Sequence, residues 1–218
     1  MDTAHINEED YAQWKKIMGR RGEAAREPLY TTLEAQDAMG LFDPRAEYGK
    51  ALALNERVSA TFRDAGHILG ASFIEVDVKG GPRLLFSGDL GNPGKPIIRD
   101  PSPPPEADAV VMETTYAERN HRSFEESVRE FVDCAVETFD RGGNVLVPAF
   151  AIERAQDLLY VIREARMKGR LPYGPVFLDS PMAIAVTGVM LRHPECFDAE
   201  TRAIIEREHD PFGFPGLE

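Results

Sequence analysis

The chain has 218 residues, 43% hydrophobic and 28% charged, which is the composition of a globular protein and not of a disordered or fibrous one. Its two cysteines, Cys134 and Cys196, exclude a disulfide framework and any CxxC zinc knuckle, and no run reaches the ~18 apolar residues of a membrane span. The 37 acidic and 25 basic residues give a net charge of −12, which argues against a non-specific grip on nucleic acid but leaves room for a local basic cleft. The opening MDTAHINEEDYAQWKK has no basic region followed by an apolar one, so no signal peptide is read, and the compartment expected is cytoplasmic.

Glu8 to Arg21 predicts a helix, with Tyr11, Trp14, Ile17 and Met18 at helical spacing. A polar break over 22–28 separates it from a second short helix, which Thr31 and Glu34 open with capping-box spacing and Asp43-Pro44 closes. From Val58 the period changes. Val58–Asp64 and Ala71–Val78 are strand candidates, the second alternating Ile74, Val76 and Val78 with Glu75 and Asp77. Lys79-Gly80-Gly81-Pro82 is a turn, and Arg83–Ser87 is the returning strand of a hairpin. A Gly/Pro-rich crossing over 88–105 leads to a short apolar strand, Ala109–Glu113. Helix and strand then alternate. A helix capped by Ser123 runs to Arg141, followed by a strand at Asn144–Pro148 and a helix at Glu153–Lys168. A strand at Val176–Asp179, a helix at Met182–Leu191 and an acidic helix with a Pro/Gly tail complete the chain. The rhythm after Ala109 implies a parallel sheet covered by helices.

Five places carry polar residues where chemistry is done. His67 lies in Asp64-Ala65-Gly66-His67-Ile68-Leu69-Gly70, between two strand candidates; imidazole is a common zinc ligand, although a turn histidine bonded to backbone explains it equally. Asp89, in Phe86-Ser87-Gly88-Asp89, and Glu113, in Val111-Met112-Glu113, each follow an apolar strand. Alone, the first reads as an Asx turn and the second as a strand terminus. Together with His67 they are three strand-end groups from three segments, and an α/β sheet gathers its functional groups along one edge in that manner. Arg154 and Ser180 stand at two strand-to-helix junctions. A helix N-terminus there binds phosphate, with Arg154 adding a bidentate contact. The plainer readings make Arg154 and Gln156 solvated helix residues and Ser180 an N-cap before Pro181. Glu153 favours the plainer reading, since its charge competes with a phosphate.

The ordered set AGHILGA, LLFSGDLG, VVMETTY, GGNVLVPAFAIERAQDLLY and FLDSPMA resembles the metallo-β-lactamase-fold nucleases of the β-CASP family. That resemblance implies an α/β chain: a partial metallo-β-lactamase αββα sandwich over 1–118, then the start of an inserted β-CASP parallel α/β domain over 119–218. It implies a zinc-dependent hydrolase of RNA phosphodiester bonds, with RNA as substrate; no membrane partner is expected, and a homodimer is one assembly the sequence leaves open. Residue by residue, His67 matches a zinc-ligating histidine and Asp89 an aspartate bridging two zinc ions. Glu113 matches an acid that supports a general-acid histidine, and Ser180 and Arg154 match segments near the RNA path. Two zincs per complete enzyme lower the pKa of a bound water, and the hydroxide attacks phosphorus in line.

Two departures from the family pattern stand out. Glu153 occupies a position where the family often has glycine, and the main metal motif, H-x-H-x-D-H, does not occur. One histidine and one aspartate cannot hold two zincs of about four ligands each. The expectation is therefore an internal fragment that is inactive alone. Two alternatives stand beside it: a non-catalytic RNA-processing scaffold, and a metallo-β-lactamase-fold hydrolase of a small ester, which the β-CASP-like second half disfavours.

Overall fold

The structure is a computed structural model, and it describes residues 2–21, 28–42, 46–118, 120 and 122–218. Residues 22–27 of the expected polar break and the Asp43-Pro44 stop fall outside the described residues. The chain forms two compact units, Met1–Ala46 and Glu47–Glu218. No helix among the described residues is long and apolar enough to cross a membrane.

In the first unit, helix α1 (Asp2–Arg21) begins earlier than its apolar stripe predicts. Trp14 and Ile17 of that stripe are exposed. Helix α2 (Thr32–Met39) has the predicted capping box, the Thr31 hydroxyl accepting from the Glu34 N–H at 3.2 Å and the Glu34 carboxylate accepting from the Thr31 N–H at 2.7 Å. It stops at Gly40, short of the expected proline. The Thr32 hydroxyl donates to Glu8 Oε2 at 2.6 Å and joins the two helices.

The second unit is built on one mixed sheet of five strands in chain order: β1 (Ala51–Ala53), β2 (Val58–Asp64), β3 (Ser72–Val78), β4 (Arg83–Phe86) and β5 (Ala109–Val111). Neighbours are antiparallel except β4 and β5, which are parallel. The predicted hairpin forms in register, Ile74 opposite Phe86 and Asp77 opposite Arg83. Strand β1 was not predicted; three residues are too few to show a period. The alternation in β3 is present, but burial favours the other face. Phe73 and Glu75 are buried, while Ile74, Val76 and Val78 are half-buried. Glu75 survives burial because Arg63 reaches it from β2 at 2.7 Å and Arg83 from β4 at 3.2 Å, so the buried carboxylate is paired on both sides.

The second half keeps its predicted helices: α3 (Phe124–Asp140), α4 (Arg154–Met167), α5 (Pro181–Met190) and α6 (Ala199–Glu208). The parallel strands expected between them do not form. Residues 144–148 belong to no strand, and Leu146 is 92% exposed. The run is apolar enough for a buried strand, but a strand exists only through its ladder, and no described segment pairs with this one. Residues 176–178 make a single parallel bridge, Val176 to Leu217. There the C-terminal tail runs alongside, the Val176 N–H donating to Gly216 O at 2.7 Å and the Glu218 N–H to Val176 O at 2.9 Å.

The main core joins the 88–105 crossing to the helices: Ile97 and Ile98 pack with Leu159, Tyr160, Met190, Phe197, Ile204 and Phe212. Ile97 is fully buried at φ +84°, a conformation a β-branched residue avoids. Its carbonyl accepts the Asp198 N–H at 2.9 Å at the start of α6. A second cluster sets Val132 and Ala135 of α3 against Ala165 of α4 and Leu171. Helix α4 is enclosed on nearly every side, so it buries polar groups too. Its Arg166 is 5% exposed, donates to Pro215 O at 3.0 Å and Gly174 O at 2.6 Å, and lies over the Phe214 ring. Arg166→Met removes both donors and is expected to destabilise the unit by about 2 kcal/mol, because two carbonyls lose their partner. Urea denaturation followed by circular dichroism measures it, and an unchanged midpoint would contradict this account of the tail.

Candidate functional site

The sheet topology gathers the strand-end residues. Strands β4 and β5 are parallel, and β2 runs in the same direction as β4 because each is antiparallel to β3. All three therefore point their C-terminal ends to one edge. His67 follows β2, Asp89 follows β4 and Glu113 follows β5. The three residues thus follow strand ends on the same edge of the sheet.

Hydrogen bonds hold the loops there together. Ser87 is buried; its N–H donates to Val111 O at 2.9 Å, and its hydroxyl accepts from the Glu113 N–H at 2.9 Å and donates to Gly88 O at 2.8 Å. Glu113 Oε1 accepts from the Leu90 N–H at 3.2 Å and Oε2 from the Thr115 N–H at 3.2 Å. The Thr115 hydroxyl and amide and the Leu90 amide, with a smaller contribution from His67, hold the Glu113 carboxyl below its usual value. Glu113 therefore stays ionised near neutrality, suited to accept a hydrogen bond from an imidazolium and unsuited to give up a proton.

The His67 loop is seated against this pair of loops, backbone to backbone. The Gly91 N–H donates to Ala65 O at 2.9 Å. A Cβ on Gly91 would lie 1.5 Å from Gly66 O and 2.7 Å from the His67 nitrogen. Gly66 itself has φ +59°, a left-handed turn that glycine adopts freely. Asp64 fixes the approach: Oδ1 accepts from the Gly66 N–H at 2.9 Å, and Oδ2 pairs with Arg99 at 2.9 Å. His67 is half-buried, and the Asp89 carboxylate is exposed.

Arg154 and Ser180 belong to a different part of the unit, at the starts of α4 and α5. Arg154 is mostly exposed and donates to Asp157 Oδ2 at 3.2 Å. The Ser180 hydroxyl caps α5 by accepting from the Ala183 N–H at 3.2 Å. The structural explanation of each is satisfied. Gln156 departs from its expected solvated position. It is completely buried, and its Nε2 donates to Thr187 Oγ1 at 2.9 Å and Ala183 O at 3.3 Å, tying α4 to α5. Glu153 is 5% exposed at φ +67°, with no side-chain cap bond. A glutamate in a glycine-favouring place was the one sequence signal that this junction is unusual.

Imidazole nitrogen and carboxylate oxygen are zinc-type donors, so the chemistry of His67 and Asp89 suits that metal. Their number does not: among the described residues no group of three or more His, Cys, Asp or Glu side chains converges closely enough to hold an ion. His121 falls outside the described residues.

Residues 155–218 match the Beta-Casp domain family model. The chain is 42% identical over 192 residues to Ribonuclease TTHA0252 of Thermus thermophilus, covering 88% of this chain and 43% of that protein. It is 25% identical over 210 residues to an RNase J-like protein of Methanocaldococcus jannaschii, covering 93% and 47%. It is 28% identical over 216 residues to the transcription termination factor FttA of the same archaeon, covering 97% and 33%. The chain spans less than half the length of these curated relatives.

Gly91→Ala is expected to cost about 3 kcal/mol, since the added methyl meets backbone that cannot move aside without unseating the His67 loop. Thermal unfolding measures the loss, and the backbone amide shifts of residues 65–71 show where it falls. A variant with native stability and native shifts would refute the close contact.

Proposed function

Because the chain belongs to the β-CASP family, we propose that it works in the hydrolysis of RNA phosphodiester bonds by a metal-dependent nuclease. The observation that carries the reading is the convergence of His67, Asp89 and Glu113 at one sheet edge, on loops locked to one another by Ser87, Leu90 and Gly91. The relatives' names supply the substrate class: ribonuclease and RNase J-like protein.

On this reading residues 1–118 correspond to the later part of a metallo-β-lactamase-like domain and 119–218 to the start of the β-CASP domain. The family match at 155–218 supports the second assignment. Zinc is the metal proposed, two ions per complete enzyme, with His67 and Asp89 among the donors. Glu113 is the fixed anion that orients a proton-donating imidazole. Arg154 and Ser180 lie along the RNA path. A cytoplasmic location and a homodimer complete the proposal.

Asp89→Asn in the protein carrying this chain is expected to lower kcat for cleavage of a labelled single-stranded RNA by about 100-fold or more, with little change in KM. An undiminished kcat would remove Asp89 from the reaction. The short donor set favours a second reading, a non-catalytic RNA-processing partner. RNA binding without cleavage by the unsubstituted protein would select it. For these 218 residues alone, elemental analysis after dialysis is expected to find fewer than one zinc per chain, since two donors fall short of the about four a tight site needs. Two retained zincs would overturn the ligand count.

A further inference from the structure

A second pair of acids lies at the start of α4, beside the loop that carries His67. Glu153 is 5% exposed, and neither carboxylate oxygen has a hydrogen-bond partner. Asp157, one turn on, is also 5% exposed. Two anions placed so close in a dry site repel, and an unbonded buried carboxylate is costly in its ionised form. Three groups face the pair. Arg154 donates to Asp157 at 3.2 Å from the same helix but leaves Glu153 unbonded. Lys95 acts on both carboxylates from the 88–105 crossing. Leu69, in the loop that carries His67, turns its backbone N–H toward Glu153 without reaching hydrogen-bond geometry. Among the described residues no third acid joins them in a metal-holding group. A proton, and not a metal ion, is the ligand this arrangement suits.

We propose that Glu153 and Asp157 hold one proton between them, and that its release to water unseats the 66–70 loop and, with it, His67. In the protonated state Glu153 stays under the loop beside the Leu69 N–H. In the ionised state the repulsion from Asp157 and the attraction of Lys95 draw it out, and the φ +67° turn relaxes with it. Burial first, then Asp157, pushes the Glu153 carboxyl up from 4.5 to about 7, so the change falls in the neutral range. A carboxyl raised in the folded state makes stability fall as pH climbs from about 4.5 to about 7 and level off above that. The significance for His67 rests on the nuclease reading; the loop movement does not.

The test is amide hydrogen exchange on the chain without added metal or RNA, at about pH 6 and about pH 8, corrected for intrinsic exchange. The reporters are the Gly66, Ala71 and Gly91 amides, which bond Asp64 Oδ1, Ile68 O and Ala65 O. Their protection is expected to fall by about tenfold or more at the higher pH, while amides within β2 and β3 hold theirs. Glu153→Gln should abolish the pH response. Glu153→Gly, which keeps the backbone turn without the carboxylate, should do the same and serves if the glutamine variant does not fold. Equal protection at both pH values, or a response that persists in either variant, overturns the proposal. Because neither metal nor cleavage enters the readout, this outcome and that of Asp89→Asn are independent.

Discussion

The contact between Gly91 and the Gly66–His67 backbone is the constraint on which the strand-end site depends. The two loops cannot approach to that distance if residue 91 carries a side chain at the crossing. Once they do, the Gly91 amide reaches Ala65 O and the Leu90 amide reaches Glu113. A missing side chain, a backbone donor and a carboxylate three strands' worth of sequence away become one assembly. At the same edge Glu113 is stabilised as an anion by the Thr115 hydroxyl and by the Leu90 and Thr115 amides, and Asp89 is left facing solvent.

Charge burial elsewhere obeys a consistent rule. Glu75 lies between Arg63 and Arg83. Arg163, 4% exposed, is paired with Glu164 at 3.0 Å and also meets Glu208. Arg166 spends its donors on the carbonyls of the tail. Each buried charge has opposite charge or carbonyl oxygen against it, as low-dielectric surroundings require. Among the described residues Glu153 is the buried carboxylate with neither oxygen hydrogen-bonded, and it lies at a strained backbone position beside the His67 loop. A local rule broken without compensation marks a place where something other than stability is served.

Much of this was legible before the structure. The hairpin was legible because its period of two is bounded by Lys79-Gly80-Gly81-Pro82. The capping boxes at Thr31 and Ser123 were legible because hydroxyl and glutamate stand three residues apart. The strand expected at 144–148 was not sound, because an apolar run states a preference for burial and not the presence of a partner. Gln156 was misread for the opposite reason: a polar residue on a helix looks solvated until a second helix brings acceptors to it.

Sequence by itself determined which residues sit at strand ends and helix caps, since backbone preference and hydrophobic period are local and act wherever the chain lies. It also carried the ordered motifs of the β-CASP family. Only the tertiary structure decided that three strand ends share an edge, that Glu75 is buried and paired, and that Glu153 is buried and not. Those outcomes depend on strand direction, on close approach and on desolvation, which are properties of residues far apart in the chain and present in none of them singly.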